Sequence, residues 1–267
     1  FFILKKEKPN LIFGFGGYVS FPISLASKFF NIPLIIYENN MILGRANRYL
    51  SMISKKILLA KKISTKYPEK YRKKTFEVGP ILNKNIINYS INKKKNNKDN
   101  FSILVLGGSQ GAEIFGTVIP AVINMVKKKG YKIEIFQQCI SSQKQSIKDY
   151  YEKNDIKNYV FDFDKNILDL ILLSNLAITR CGASTTAELA HTITPFIAVP
   201  LPGSIDNHQY LNAKYYESKG CCWLLEQKNF NTKNLLNIII ETMENKNQLK
   251  NIQVNMQNNQ SKNVYSN

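Results

Sequence analysis

An α/β architecture in two parts, each a doubly wound parallel sheet, is predicted by three observations on this chain of 267 residues. Short apolar runs alternate with segments of helical period, glycine-rich turns follow two of those runs, and the alternation restarts after a polar stretch near mid-chain. Parallel neighbours need a long crossover, most often a helix, so strand and helix signals must alternate in such sheets. Length agrees, because 267 residues with 44% hydrophobic content exceed the usual single domain and supply substantial cores.

Taken in order, "NLIFGFGG" reads as a strand running into a glycine loop, "FPISLASKFF" as a helix with Pro22 near its start, and "IPLIIYE" as the next strand. "KKILLA" and "TFEV" add two strands before the stretch from Asn83 to Asn100, whose Asn and Lys content gives the strongest linker signal. "FSILVLGGSQGAEIFGTVIPAVINMV" then repeats strand, glycine loop and helix. "YKIEIF", "NYVFDF", "NLAITR", "TPFIAVP" and "GCCWLLE" continue as strands, with a helix expected from "GASTTAELA".

The formal net charge of +18 suits an anionic membrane surface, phosphorylated ligands or nucleic acid. Its sign cannot choose among these, and many of the lysines crowd the linker and helix surfaces instead of interleaving with aromatic residues on one face. That distribution argues against a nucleic-acid binder. Four cysteines form no CxxC pair and share no metal-ligand spacing with the two histidines, which points to a reduced, cytosolic setting and no metal. No apolar run approaches the ~20 residues that span a bilayer.

The loops at strand ends carry the chemistry. In "GGSQGA", Gly107, Gly108 and Gly111 let a ligand approach the backbone, and free N–H groups at the start of the next helix suit a phosphate. The spacing is neither GxGxxG nor a Walker loop, so a plain tight turn is the alternative and a dinucleotide-dependent oxidoreductase is disfavoured. In "RCGASTTAEL", Gly182 and Ala183 leave room, Ser184 or Thr185 is placed to cap the helix, and Glu188 follows one turn later. A carboxylate there can take two vicinal hydroxyls, as acidic residues do with ribose; it can equally serve a capping box.

Five motifs in order, "GFGGYVSFP", "YENN", "GGSQGA", "CGASTTAEL" and "DNHQYLNA", are similar to those of the MurG family of glycosyltransferases and cover nearly the whole chain. The resemblance implies a GT-B fold of two Rossmann-like domains. It also implies transfer of N-acetylglucosamine (GlcNAc) from UDP-GlcNAc to lipid I, forming the peptidoglycan precursor lipid II. The expected domains are 1–82, an N-terminal acceptor and membrane-side domain that is incomplete; 83–100, a linker; 101–245, the donor domain; and 246–267, a helical segment. The family works at the cytoplasmic face of the bacterial plasma membrane as a peripheral enzyme, with no cofactor, and serves cell wall biogenesis, cell shape and division.

Carried over by position, the resemblance puts the UDP diphosphate at Ser109, Gln110 and Gly111. The nucleotide sugar falls along Ala183, Ser184, Thr185, Thr186, Ala187 and Glu188, with Glu188 on the ribose. Phe163 and the backbone of Asp164 match the uracil loop, His208 and Gln209 a Gln pair on the sugar hydroxyls, and Asn40 the last residue of the family's "HEQN". "DFD" at 162–164 could suggest a metal on the diphosphate, but the family uses helix N-termini instead. Several positions depart from the pattern. Tyr37 replaces a His. Asn83 and Lys84 stand where the family has a donor-binding Arg, and Lys lacks its fork. The family's first glycine loop and proposed base would precede Phe1, which leaves Tyr37 and Glu38 as the candidates in view. A donor-binding module completed by a separate partner chain is the alternative function.

Overall fold

The structure, a computed structural model, describes residues 1–63, 69–87, 100–108 and 112–260. By its contacts the chain divides into two compact units, one of residues 1–81 with 203–212, the other of 82–202 with 213–260.

The first unit contains α1 (Phe2–Glu7), β1 (Ile12–Gly14), α2 (Gly17–Ala26), β2 (Leu34–Glu38), α3 (Arg45–Leu50), β3 (Lys56–Leu59) and β4 (Thr75–Glu77). Its strands pair in chain order, all parallel. Leu34 and Ile36 of β2, Ile57 and Leu59 of β3, and Leu4, Ala26 and Leu50 from the helices form one buried cluster. Helix α2 starts at Gly17, earlier than the sequence suggests, so Pro22 lies inside it. The missing N–H there frees the Tyr18 carbonyl, and Tyr18 is exposed, so water can satisfy it. Lys74 Nζ donates to the carbonyls of Ser51 and Ser54, each at 2.7 Å, just beyond α3, where helix carbonyls lack partners.

The second unit runs α4 (Lys84–Ile87), β5 (Phe101–Leu106), α5 (Glu113–Lys128), β6 (Ile133–Gln138), α6 (Ser141–Lys153), β7 (Lys157–Phe161) and α7 (Ile167–Leu173). It continues with β8 (Leu176–Thr179), α8 (Ala183–His191), β9 (Phe196–Ala198), α9 (His208–Ser218), β10 (Cys222–Leu224), α10 (Thr232–Glu244) and α11 (Lys246–Asn258). The first residues of α9 are counted with the first unit. The parallel sheet has the order β10-β9-β8-β5-β6-β7, so it grows outward from β5 in one direction, then from β8 in the other. Alternate residues of β5 face opposite cores. Ile103 and Val105 join Phe115, Ile119, Val122 and Ile239, while Leu104 and Leu106 join Leu170, Leu189, Ala213 and Met256. A central strand covered on both faces must be apolar throughout, and each such side chain contributes about 1.5–3 kcal/mol by burial.

Within the stretch expected as linker, Lys84–Ile87 form a helical turn whose Ile86 packs with Leu82 against Ala187. Residues 88–99 lie outside the described set. All four cysteines are buried free thiols.

Candidate functional site

The strand order reverses between β5 and β8, and the carboxyl ends at such a reversal are where ligands of open parallel sheets generally sit. These two strands pair through Leu106 and Thr179, and beyond them lie Gly107, Gly108 and Arg180 to Gly182. Gly108 has φ +79°, a conformation that disfavours any side chain. Ser109, Gln110 and Gly111, the residues expected at the diphosphate, lie outside the described residues.

Helix α8 begins differently from the sequence expectation. Its N-cap is Gly182, with no side-chain cap, so Ser184 and Thr185 are already the second and third helical residues and cannot cap it. Gly182 thus offers the first N–H groups of the helix no capping side chain of its own. Thr186 is buried, and its hydroxyl donates back to the carbonyls of Gly182 (3.0 Å) and Ala183 (3.2 Å); Ala187 is buried against Leu82 and Ile86. These two point into the protein, unlike exposed Ser184 and partly exposed Thr185 and Glu188. Glu188 is the sixth helical residue, beyond the third position a capping box requires. Burial pushes its carboxyl above the usual range, and no hydrogen bond or ion pair holds that carboxylate among the described residues.

Past β7, Phe163 is 74% exposed, a ring standing in solvent. The flanking carboxylates are held locally. Asp162 accepts from Lys144 Nζ (3.2 Å), Ser141 Oγ (3.3 Å) and Phe163 N (3.0 Å), whereas Asp164 accepts from the Tyr159 hydroxyl (2.9 Å) and Asn166 N (2.6 Å). Lys144 and the hydrogen bond from Phe163 N hold the Asp162 carboxyl below its ordinary range. Asn83 Oδ1 accepts from Asn85 N at 2.9 Å, so this side chain organises the turn at α4, and Lys84 is exposed beside it.

The first unit gathers Glu38, Asn40 and His208 around a cavity of about 270 Å³, whose wall also includes Phe15, Tyr18 and Arg45. Glu38 is 5% exposed and accepts four hydrogen bonds, from Asn40 N and Nδ2, Gly44 N and Asn47 Nδ2, at 2.9–3.1 Å. Asn40 in turn accepts from Asn212 Nδ2 (3.1 Å), and Met41 N donates to Asn212 Oδ1 (2.9 Å). His208 Nδ1 lies 2.8 Å from the Ile205 carbonyl, which only accepts, so Nδ1 carries the proton and Nε2 of the neutral ring remains an acceptor. Gln209 follows on α9, its backbone N–H donating to Ser204 Oγ at 3.3 Å.

Tyr37 is buried, with its hydroxyl accepting from Ile81 N (3.1 Å) and donating toward the Gly79 carbonyl (3.2 Å) or Asn39 Oδ1 (3.3 Å). Burial pushes its phenol up to about 12. Such a group does not ionise near neutrality, and Glu38 has its lone pairs engaged. Both side chains, the candidates for a base in view, are engaged in hydrogen bonds within the first unit.

Two residues of the assembly escaped the sequence reading. Asn212 lies four residues after His208, a helical spacing visible in "DNHQYLNA". Arg180 is a lone basic residue ending the apolar run "NLAIT", and its guanidinium is buried.

Comparison with known proteins gives this geometry its context. Residues 102–266 match the glycosyltransferase family 28 C-terminal domain, and residues 1–59 its N-terminal domain. A protein of Pelagibacter ubique named UDP-N-acetylglucosamine--N-acetylmuramyl-(pentapeptide) pyrophosphoryl-undecaprenol N-acetylglucosamine transferase is 39% identical over 245 residues, covering 91% of this chain and 67% of that protein. The Rickettsia canadensis protein of the same name is 38% identical over 245 residues, covering 91% and 69%. The crystal structure of Acinetobacter baumannii MurG superposes with a TM-score of 0.79 at 25% identity, over 98% of this chain and 74% of that one. With two parallel-sheet α/β domains of the GT-B kind and these matches, the chain belongs to glycosyltransferase family 28, in its MurG branch.

Proposed function

We propose that this chain transfers GlcNAc from UDP-GlcNAc to the C4 hydroxyl of the N-acetylmuramyl residue of lipid I, with inversion at the anomeric carbon, to give lipid II. The observation that carries the donor half is Glu188, partly buried, unpaired among the described residues and on the exposed side of α8 with Ser184. Its carboxylate would accept from both ribose hydroxyls, while the uncapped N–H groups of α8 and the glycine turn after β5 take the diphosphate. Phe163 and the Asp164 backbone would flank the uracil. His208, Gln209 and Asn40 would meet sugar hydroxyls, His208 through Nε2. Asn83 and Lys84 would contribute beside α8, where Ile86 of the same turn packs on Ala187. Thr186 and Ala187 would hold the helix in place from behind.

Departure of UDP is the step this apparatus would assist, since fixed N–H groups and a helix dipole stabilise the charge that grows on the leaving diphosphate. The acceptor hydroxyl needs a base, and neither Tyr37 nor Glu38 is placed to be one. Family domains of both kinds within one chain do not favour a donor-only module.

Lipid I stays in its membrane, so the enzyme would dock on the cytoplasmic face. The charge of +18, with Tyr18 85% and Val19 95% exposed, supports contact with anionic lipid. No helix among the described residues is long and apolar enough to cross a membrane. Calorimetry tests the donor reading: UDP and UDP-GlcNAc should bind more tightly than NAD, and the reverse order would overturn it. Sedimentation with anionic vesicles tests docking, which should weaken as salt shortens the Debye length.

A further inference from the structure

The second unit buries a cation without an anion beside it. Arg180 is 7% exposed; Nη1 donates to the carbonyls of Val199 (3.2 Å) and Pro200 (3.3 Å), Nη2 donates to Gln227 Oε1 (2.6 Å), and the guanidinium carbon lies 4.9 Å from the Phe115 ring centroid. All of these partners are neutral. Nε is buried without a hydrogen-bond partner, and among the described residues no carboxylate pairs with the group. A guanidinium so enclosed gives up hydration that an opposite charge would best offset.

Its position says which charge. Arg180 N donates to the Leu106 carbonyl at 3.0 Å, so the residue lies at the carboxyl ends of β5 and β8, where the strand order reverses. A Cβ built on Gly108 would lie 3.8 Å from the Arg180 Cβ, and Gly182, the uncapped N-cap of α8, is two residues further along. The cation therefore lies beside the turn after β5 and the start of α8.

We propose that Arg180 is a positioning residue that provides the buried counter-charge for the donor diphosphate. It holds a fixed positive potential beneath that group without touching it, and Gln227 is an amide so that the potential is not neutralised. This rests on the donor placement proposed above. A low-dielectric surround lets one charge act on another across several ångströms, so the effect should follow ligand charge, not ligand shape.

The test compares uridine with UDP by calorimetry in the full chain. Gln227→Glu puts a carboxylate against Nη2 while leaving the arginine and its packing in place. The affinity ratio of UDP over uridine should fall about tenfold, the scale of cancelling one nearby unit charge at protein dielectric, with thermal stability kept or raised. Arg180→Gln should lower the same ratio, and Arg180→Lys should retain most of it. An unchanged ratio in folded Gln227→Glu overturns the proposal, even if Arg180→Gln does not fold. Equal losses for uridine and UDP in that variant would assign Arg180 a purely structural role and overturn it as well. Wild-type protein that binds uridine as tightly as UDP would remove the diphosphate placement itself, and this inference with it.

Discussion

Two carboxylates, Glu38 at the end of β2 and Glu188 on α8, are treated in opposite ways. Glu38 is buried and accepts four hydrogen bonds. Glu188 is partly buried and accepts none among the described residues, with its carboxyl displaced upward by burial alone. A fully engaged carboxylate organises the chain around it, as the loop from Asn40 to Asn47 is organised here. One left desolvated and open costs stability and is available to a ligand. The same residue type is thus architecture in one unit and the best candidate for recognition in the other.

The comparison breaks most visibly at Glu38. Glu38→Ala strands the N–H groups of Gly44 and Asn40 and the Asn47 amide, and should lower stability by about 3 kcal/mol or more in urea unfolding. A small change would mean that water readily replaces the carboxylate. At Glu188 the expectation inverts. Glu188→Ala should leave the urea midpoint near wild type and weaken UDP binding by about 1.5–3 kcal/mol, the range for a hydrogen-bonded charged group. A folded variant with wild-type affinity would withdraw the ribose role.

Titration sharpens the same contrast. Folding raises the Glu188 pKa, so the folded chain holds this proton more tightly than the unfolded one, and the residue subtracts stability as pH rises through the interval between the two values. Glu188→Gln should therefore be more stable than wild type at neutral pH. Hydroxyls bind the ionised form, so UDP affinity should fall as pH drops into that interval, and the fall should vanish in Glu188→Gln. A pH dependence that persists would place the titrating group elsewhere. Smaller still is Tyr37→Phe, which should cost about 1 kcal/mol through the lost bonds to Ile81 N and the Gly79 carbonyl. It should leave the transfer rate unchanged, since the hydroxyl is engaged in these internal bonds.

Much of the sheet order's raw material was legible because each strand is a short apolar run closed by Gly, Pro or a polar residue, as in "FSILVLGG" and "TPFIAVP". Helix starts were less legible. Ser184 and Thr185 are residues that ordinarily cap, yet the backbone turns earlier, at Gly182, which has no side chain to do so. Thr186 and Ala187 could not be separated from Ser184 and Glu188 by motif alone, because the face each occupies depends on what covers the helix, here Leu82 and Ile86. Arg180 was hidden for a related reason. Its acceptors, Val199, Pro200 and Gln227, lie 19 to 47 residues away. Fixed spacing within a motif cannot display such partners.

The turn before α9 has a consequence for how this sequence can drift. Asp206 and Asn207 sit in succession in the left-handed region, with φ of +53° and +56°. Asp, Asn and Gly tolerate that region and β-branched residues do not. Asp206 is further committed, because its carboxylate lies 3.6 Å from Arg45 Nε and 3.8 Å from Arg48 Nη2. Position 207 is then the only one of the pair with room to vary, and its useful alphabet is Asn, Asp and Gly. In a deep mutational scan the pair would read as one invariant column beside one that admits only Asn, Asp or Gly, a signature easily mistaken for substrate contact when backbone handedness is the cause.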